Sequence, residues 1–403
     1  MTSTLSNGML TQKSRIASID ILRGIVMVIM ALDHTRDFFH IYGITDQPTN
    51  LETTTPILFF TRWITHYCAP TFVLLSGVAI RISTERKTTK ELSLFLLTRG
   101  LWLILLEVVV VRFGLFFNFY YDFTFFQVIW VIGASMVVLA GLVFLPGRVV
   151  LGIGLFLIFF HNIFDFFPLK PEDSGYALWV ILRQQGFLPL DQEHAIIVAY
   201  PLLPWLGIMA LGYGIGEWFA KSFNAAKRFD LLLYSGAGAV LLFLILRGIN
   251  VYGDPAPWSV QKDFTFTILS FLNVTKYPVS LLYTLMTVGP VLIILALMEM
   301  RQTPISQSNP FVIYGRVPMF YYILHFYLIH FTALVTMMIM RDMSFADLNF
   351  HFNNGFGGVI PGSGFSLPWV YLIWITIVAS LYPLCKWYNR YKSTHSHWWL
   401  SYV

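Results

Sequence analysis

Residues 23–39 read RGIVMVIMALDHTRDFF. The run from Gly24 to Leu32 is apolar throughout and starts like a membrane helix. Asp33, His34, Arg36 and Asp37 then fall within five positions. A helix that has begun to cross a bilayer does not carry four ionisable groups without a reason, because charge at membrane depth is costly and usually marks a site. How this stretch is read decides whether the chain is a soluble bundle or a membrane protein with a buried polar site.

Composition settles the first half. Of 403 residues, 57% are hydrophobic and 12% charged, with mean hydropathy +0.67. A soluble domain averages about 25% charged. The chain therefore reads as an all-α, polytopic membrane protein. Windows long enough to span hydrocarbon fall near 18–39, 57–82, 92–113, 124–145, 148–167, 196–219, 230–249, 277–299, 311–340 and 367–388, which predicts ten transmembrane helices. Lys and Arg set the orientation. With Lys13 and Arg15 inside, the inner connections hold Arg81, Arg86, Lys87 and Lys90, then Arg148, then Lys221, Lys227 and Arg228, then Arg301, then Lys386, Arg390 and Lys392. The outer loops 40–56 and 114–123 hold none. Both termini, 1–15 and 389–403, are thus expected in the cytoplasm, the chain in the inner membrane, and 1–403 as one integral domain. A homodimer is compatible with this picture.

Other classes are poorly supported. No basic face outside the membrane suits nucleic acid. Cys68 and Cys385 give no disulfide framework and no metal spacing, so no metal is expected. Walker A, dinucleotide, HExxH and GxSxG signatures are absent.

The remaining charges can be placed by depth. Asp20, Arg23, Met27, Met30, His34 and Asp37 form one helical stripe, with Arg23 and His34 about 16 Å apart along the axis. The stripe could line a path through the membrane. Alternatively, Asp20 and Arg23 form an interfacial pair and Asp33 to Asp37 end the helix. In the second window Arg62 and His66 share a face, and Pro70 should kink the helix and orphan a carbonyl. His66 is either functional or a neutral ring on a backbone carbonyl. Glu107 lies level with Arg62 and could pair with it; Arg99 and Arg112 share that segment. His325 lies mid-membrane among aromatic rings. Gln127, His161, Asp165, Glu217 and Arg247 read as structural or interfacial.

The blocks RIASIDILRGIVMVIMALDHTRDFF, RWITHYCAPTFVLLSGVAI, LLTRGLWLILLEVVVVRFG, FQVIWVIGASMVVLAG, YPLLPWLGIMALGYGIG, YGRVPMFYYILHFYLIH and LYPLCKWYNRYKSTH, in this order between residues 15 and 398, resemble the bacterial heparan-alpha-glucosaminide N-acetyltransferase-like membrane family. Arg23 and His34 also match the arginine and histidine spacing of type-three membrane acyltransferases. The resemblance implies ten or eleven helices that carry an acyl group, most simply acetyl, from cytoplasmic acyl-CoA to a carbohydrate on the far side. It implies Arg23 facing the donor and His34 as catalytic histidine. The lysosomal member places its histidine in the first luminal loop, whereas residues 41–65 here contain none.

The expected chemistry follows. His34 takes a proton from a sugar hydroxyl or amine, Asp37 or Asp33 orients it, and His66 is an alternative acyl carrier. Arg23, Arg81 and Arg99 would meet the donor phosphates. Arg62, Glu107 and His325 would face substrate. A transporter or flippase with a buried proton relay is the competing class.

Overall fold

The computed structural model describes residues 16–300, 306–351 and 356–401. The expectations for residues 1–15, including Lys13 and Arg15, and for Arg301 lie outside them. In chain order the helices are α1 (Ala17–Phe39), α2 (Pro56–Thr65), α3 (Cys68–Ser83), α4 (Thr89–Leu106), α5 (Arg112–Phe116), α6 (Val128–Leu142), α7 (Gly147–Phe160), α8 (Tyr176–Leu182), α9 (Leu202–Ile215), α10 (Ala225–Ile249), α11 (Phe264–Leu272), α12 (Leu281–Glu299), α13 (Pro310–Arg316), α14 (Pro318–Arg341) and α15 (Leu367–Thr394). Three short strands, β1 (Phe123–Phe126), β2 (Gly186–Pro189) and β3 (Ala195–Val198), form a sheet in the order β1-β3-β2. The class is an all-α membrane protein with one small sheet.

Among the described residues, seven helical stretches are long and apolar enough to cross a membrane: Pro56–Ser83, Thr89–Phe116, Gly147–Phe166, Ala225–Ile249, Leu281–Glu299, Pro318–Arg341 and Leu367–Thr394. The other three expected windows differ for separate reasons. α1 is a 23-residue helix but carries Asp20, Arg23, Asp33, Arg36 and Asp37. Residues 124–126 and 196–198 are strand rather than helix, so α6 and α9 are only 15 and 14 residues long. β1 and β3 pair in parallel, Phe123 opposite Ala195. Their apolar runs abut a helix, and periodicity alone does not separate a short buried strand from a helix start.

Breaks in the helices have local causes. The second window is α2 and α3 joined at His66 and Tyr67. Pro70 has no N–H for the carbonyl four residues earlier, which is that of His66. The Tyr283 hydroxyl donates to that carbonyl at 2.7 Å instead, so the expected orphan is satisfied from α12. Between α4 and α5, residues Glu107–Val111 widen into a π turn. The Tyr327 hydroxyl donates to the Val110 carbonyl there at 2.7 Å. Pro318 starts α14 and separates it from α13.

The charged helix α1 is held centrally. α13 crosses it so closely that a Cβ on Gly24 would sit 1.8 Å from the Phe311 carbonyl oxygen, and one on Gly315 would sit 1.8 Å from that of Asp20. Arg23 donates to the Gly315 carbonyl at 3.0 Å, and Arg316 reaches Asp20 at 3.3 Å. Helix–helix association in lipid relies on such close backbone approach at small residues. Gly24→Val or Gly315→Val should therefore push α1 off α13 at a cost of about 1–3 kcal/mol or more. Thermal unfolding in detergent checks this; a variant as stable as the parent would contradict the crossing.

Candidate active site

At the His34 end of α1 lies a cavity of about 640 Å³. Helix ends line its wall with His34, Asp37, Phe38, Arg62, His66, Gln127 and Phe326, and loops complete it with Gln47, Thr49, Gln185, Asn273, Thr275, Lys276 and Tyr277. A second cavity of about 110 Å³ lies deeper along α1, against Met30, Cys68, Ala69, Phe72 and Tyr322. Both cavities share His34, Asp37, Arg62, Gln127, Tyr200, Lys276 and Tyr277. His34 thus stands where the large chamber meets the small one. Met27 and Met30, next on the stripe toward Arg23, are buried.

The charges around His34 form a network rather than a helix end. Asp33 is buried and bridges two arginines, accepting from Arg36 at 3.2 Å and making a short contact with Arg62. Arg36 also donates to Asp37 at 2.5 Å. Buried charges persist when paired and hydrogen-bonded, and α2 supplies Arg62 for that purpose. Asp33 therefore serves Arg36 and Arg62 and does not hydrogen-bond His34. Asp37 lies 3.9 Å from His34 Nδ1, too long for a direct hydrogen bond but close enough to attract an imidazolium.

The histidines sort by what their ring nitrogens do. His161 bonds the Leu157 and Val279 carbonyls at 2.8 and 2.9 Å, and His330 bonds those of Gly114 and Gly357 at 2.8 and 2.6 Å. Both nitrogens of each are committed to backbone, which is a structural role. His34 makes no such bond among the described residues, and its ring packs 4.6 Å from Phe326 and 5.4 Å from His325. His66 lines the large chamber, and among the described residues its buried Nδ1 has no partner. His325 gives Nδ1 to the Tyr321 carbonyl at 3.1 Å. Its buried Nε2 also finds no partner among the described residues.

Five expected site residues, Glu107, Arg23, Arg81, Arg99 and His325, line neither cavity. Glu107 does not pair with Arg62. A carboxyl oxygen of its side chain accepts from the backbone N–H of Trp130 at 3.0 Å, in the first turn of α6. It lines neither cavity. Arg23, Arg81 and Arg99 lie away from the chambers: Arg23 on Gly315, Arg81 paired with Glu217 at 3.1 Å, and Arg99 5.9 Å from the Phe95 ring.

Sequence reasoning did not single out Lys276, Tyr277, Tyr200 or Gln127 as site residues. Lys276 is nine-tenths buried, with Tyr277 and Tyr200 rings 5.0 and 6.0 Å from its ammonium. Its segment is held by Arg247, whose guanidinium donates to the carbonyls of Ala256, Ser270, Phe271 and Asn273 at 2.9–3.0 Å. Asp254 accepts from the backbone and hydroxyl of Thr275 at 2.8 and 2.7 Å. The clue in the sequence was the pairing of a buried Arg at a helix end with a long loop.

The Asp33–Arg62 pair can be tested alone. Arg62→Leu leaves Asp33 short of one partner and should cost about 3–5 kcal/mol. Adding Asp33→Asn should recover part of that loss, because the two side chains are coupled. Additive losses in thermal unfolding would contradict the bridge.

No curated protein matches the chain in a sequence comparison. A family model described as heparan-alpha-glucosaminide N-acetyltransferase, catalytic, matches residues 15–252. That span contains α1 to α10, with Arg23, Asp33, His34, Asp37, Arg62 and His66, and covers more than half of the chain. The chain belongs to the heparan-alpha-glucosaminide N-acetyltransferase catalytic family.

Proposed function

We propose that this protein transfers an acetyl group from acetyl-CoA, arriving at the Arg23 end of α1, to a carbohydrate acceptor held in the large chamber. The family supplies the reaction class, a transmembrane acetyltransferase. The observation that carries the mechanism is the position of His34, on the wall of both chambers with its ring nitrogens uncommitted. A base at that point meets an acceptor from one side and a thioester from the other.

The geometry supports the following steps. The acceptor occupies the large chamber, where Gln47, Thr49, Asn273 and Thr275 offer hydrogen bonds and Phe125, Phe326 and Phe356 offer faces for a sugar ring. The small chamber suits the acetyl end of the donor, and its apolar wall of Met30, Ala69 and Phe72 excludes water from the thioester. His34 removes the acceptor proton as the nucleophile attacks, and Asp37 stabilises the imidazolium across 3.9 Å. Arg62, tied to Asp33, fixes the position of the neighbouring charges. The freed proton returns from His34 to the departing thiolate. His66, on the large-chamber wall, is a place for an acyl relay if transfer takes two steps.

The Arg23 end would face the cytoplasm, since CoA is made there and the basic connections collect at that end. On this reading the chain crosses the inner membrane ten times as a single domain, with both termini inside. Arg23, Arg81 and Arg99 would meet the donor's phosphates; Arg81 would then exchange Glu217 for phosphate, a charge-assisted replacement.

His34→Ala should lower thiol release from acetyl-CoA by about 10²–10⁴-fold, the ordinary contribution of a positioned general base. Calorimetry should show donor binding unchanged. Purified protein with a panel of amino sugars and neutral glycans is the assay. Equal activity in the variant would move the chemistry away from His34. Movement of a labelled glycan across proteoliposomes without CoA would favour a transporter instead.

A further inference from the structure

We infer that Lys276 is the oxyanion-stabilising residue of this site; the inference rests on the acetyltransferase reading above. Three observations carry it. The first is place: Lys276 lines both chambers, as His34 does, so the residue belongs to the junction where the thioester carbonyl would sit. A group that only anchored an acceptor would belong to the large chamber alone.

The second is charge. Arg36 and Arg62 are committed to Asp33 and Asp37. Among the described residues none of the ion pairs includes Lys276, although the side chain is nine-tenths buried. Its ammonium hydrogen-bonds the Tyr277 hydroxyl, which also bonds Tyr200, and lies by the two tyrosine rings; Asp33 and Asp37 are within electrostatic reach but are held by Arg36 and Arg62. A buried cation with no carboxylate in direct contact is costly, and an anion that develops only during reaction offsets that cost in the transition state.

The third is rigidity. Asn273 and Thr275 precede Lys276 and are pinned by Arg247 and Asp254, and Ser280 after it donates to Asp254 at 2.8 Å. Donors that are fixed before the reaction need no reorganisation when charge appears.

The step balances. The acceptor O or N forms a bond to the acetyl carbonyl carbon as its proton passes to His34. The carbonyl π electrons move onto oxygen, which becomes an anion against the Lys276 ammonium. The C=O bond then re-forms, the C–S bond breaks, and the CoA thiolate takes the proton from His34. Lys276 remains an ammonium throughout.

The test is steady-state thiol release by the full chain in detergent, with acetyl-CoA and the best acceptor of the panel. Lys276→Gln should lower kcat by about 10²–10³-fold, with KM for both substrates within about threefold of the parent. Lys276→Arg keeps the charge but not its point position, and should fall between Gln and the parent. Loss confined to acceptor KM would make Lys276 an acceptor anchor and overturn the proposal. An unchanged kcat would also overturn it. Should the Gln variant fail to fold, the Arg variant decides: reduced kcat at constant KM supports the assignment, and activity equal to the parent refutes it. A parent enzyme that releases no thiol with any acceptor would instead defeat the acetyltransferase reading itself.

Discussion

Asp33, caught between Arg36 and Arg62, is the interaction on which this structure depends. Taking a carboxylate out of water costs several kcal/mol even after relaxation, and a good pair of partners is needed to recover it. Asp33 has two, one from its own helix and one from α2. Their presence lets α1 carry charge through its last two turns and still pack in the centre of the bundle. Arg36 then reaches Asp37, and Asp37 faces His34. The histidine stays uncommitted because its charged neighbours satisfy one another.

A second constraint shapes everything around this network. Backbone groups in a membrane protein need partners from the protein itself, and this chain supplies them with long side chains. Tyr283 serves the carbonyl that Pro70 abandons. Tyr327 serves the π turn after α4. Three buried arginines do the same for the loops: Arg112 on Phe123 and Asn118, Arg183 on the His161 carbonyl and Asp165, and Arg247 on four carbonyls. Loops fastened in this way can form the chamber wall and place single side chains such as Lys276.

Much of the site was legible in sequence because its parts are local. Four ionisable groups within five residues of α1 marked the stretch as a site or a helix end, and the i,i+4 spacing of Arg62 and His66 put them on one face. Pro70 announced its orphan carbonyl without revealing that Tyr283, 213 residues later, would fill it. Pairings between distant segments carried no such signal. Glu107 matched Arg62 in depth, yet depth says nothing of azimuth, and the carboxylate faces α6. Lys276 carried no such signal either, because its burial depends on a loop that Arg247 and Asp254 hold. The strands were hidden because β1 and β3 pair across more than 70 residues and look like helix starts.

The account makes α1 a conduit between two substrates that never share a compartment. Sidedness is therefore its most direct test. Acetyl-CoA labelled in the acetyl group is supplied on one face of sealed proteoliposomes with a membrane-impermeant glycan trapped on the other. The account predicts labelled glycan inside the vesicles while intact CoA stays outside. Product formed only when donor and acceptor occupy the same compartment would contradict it.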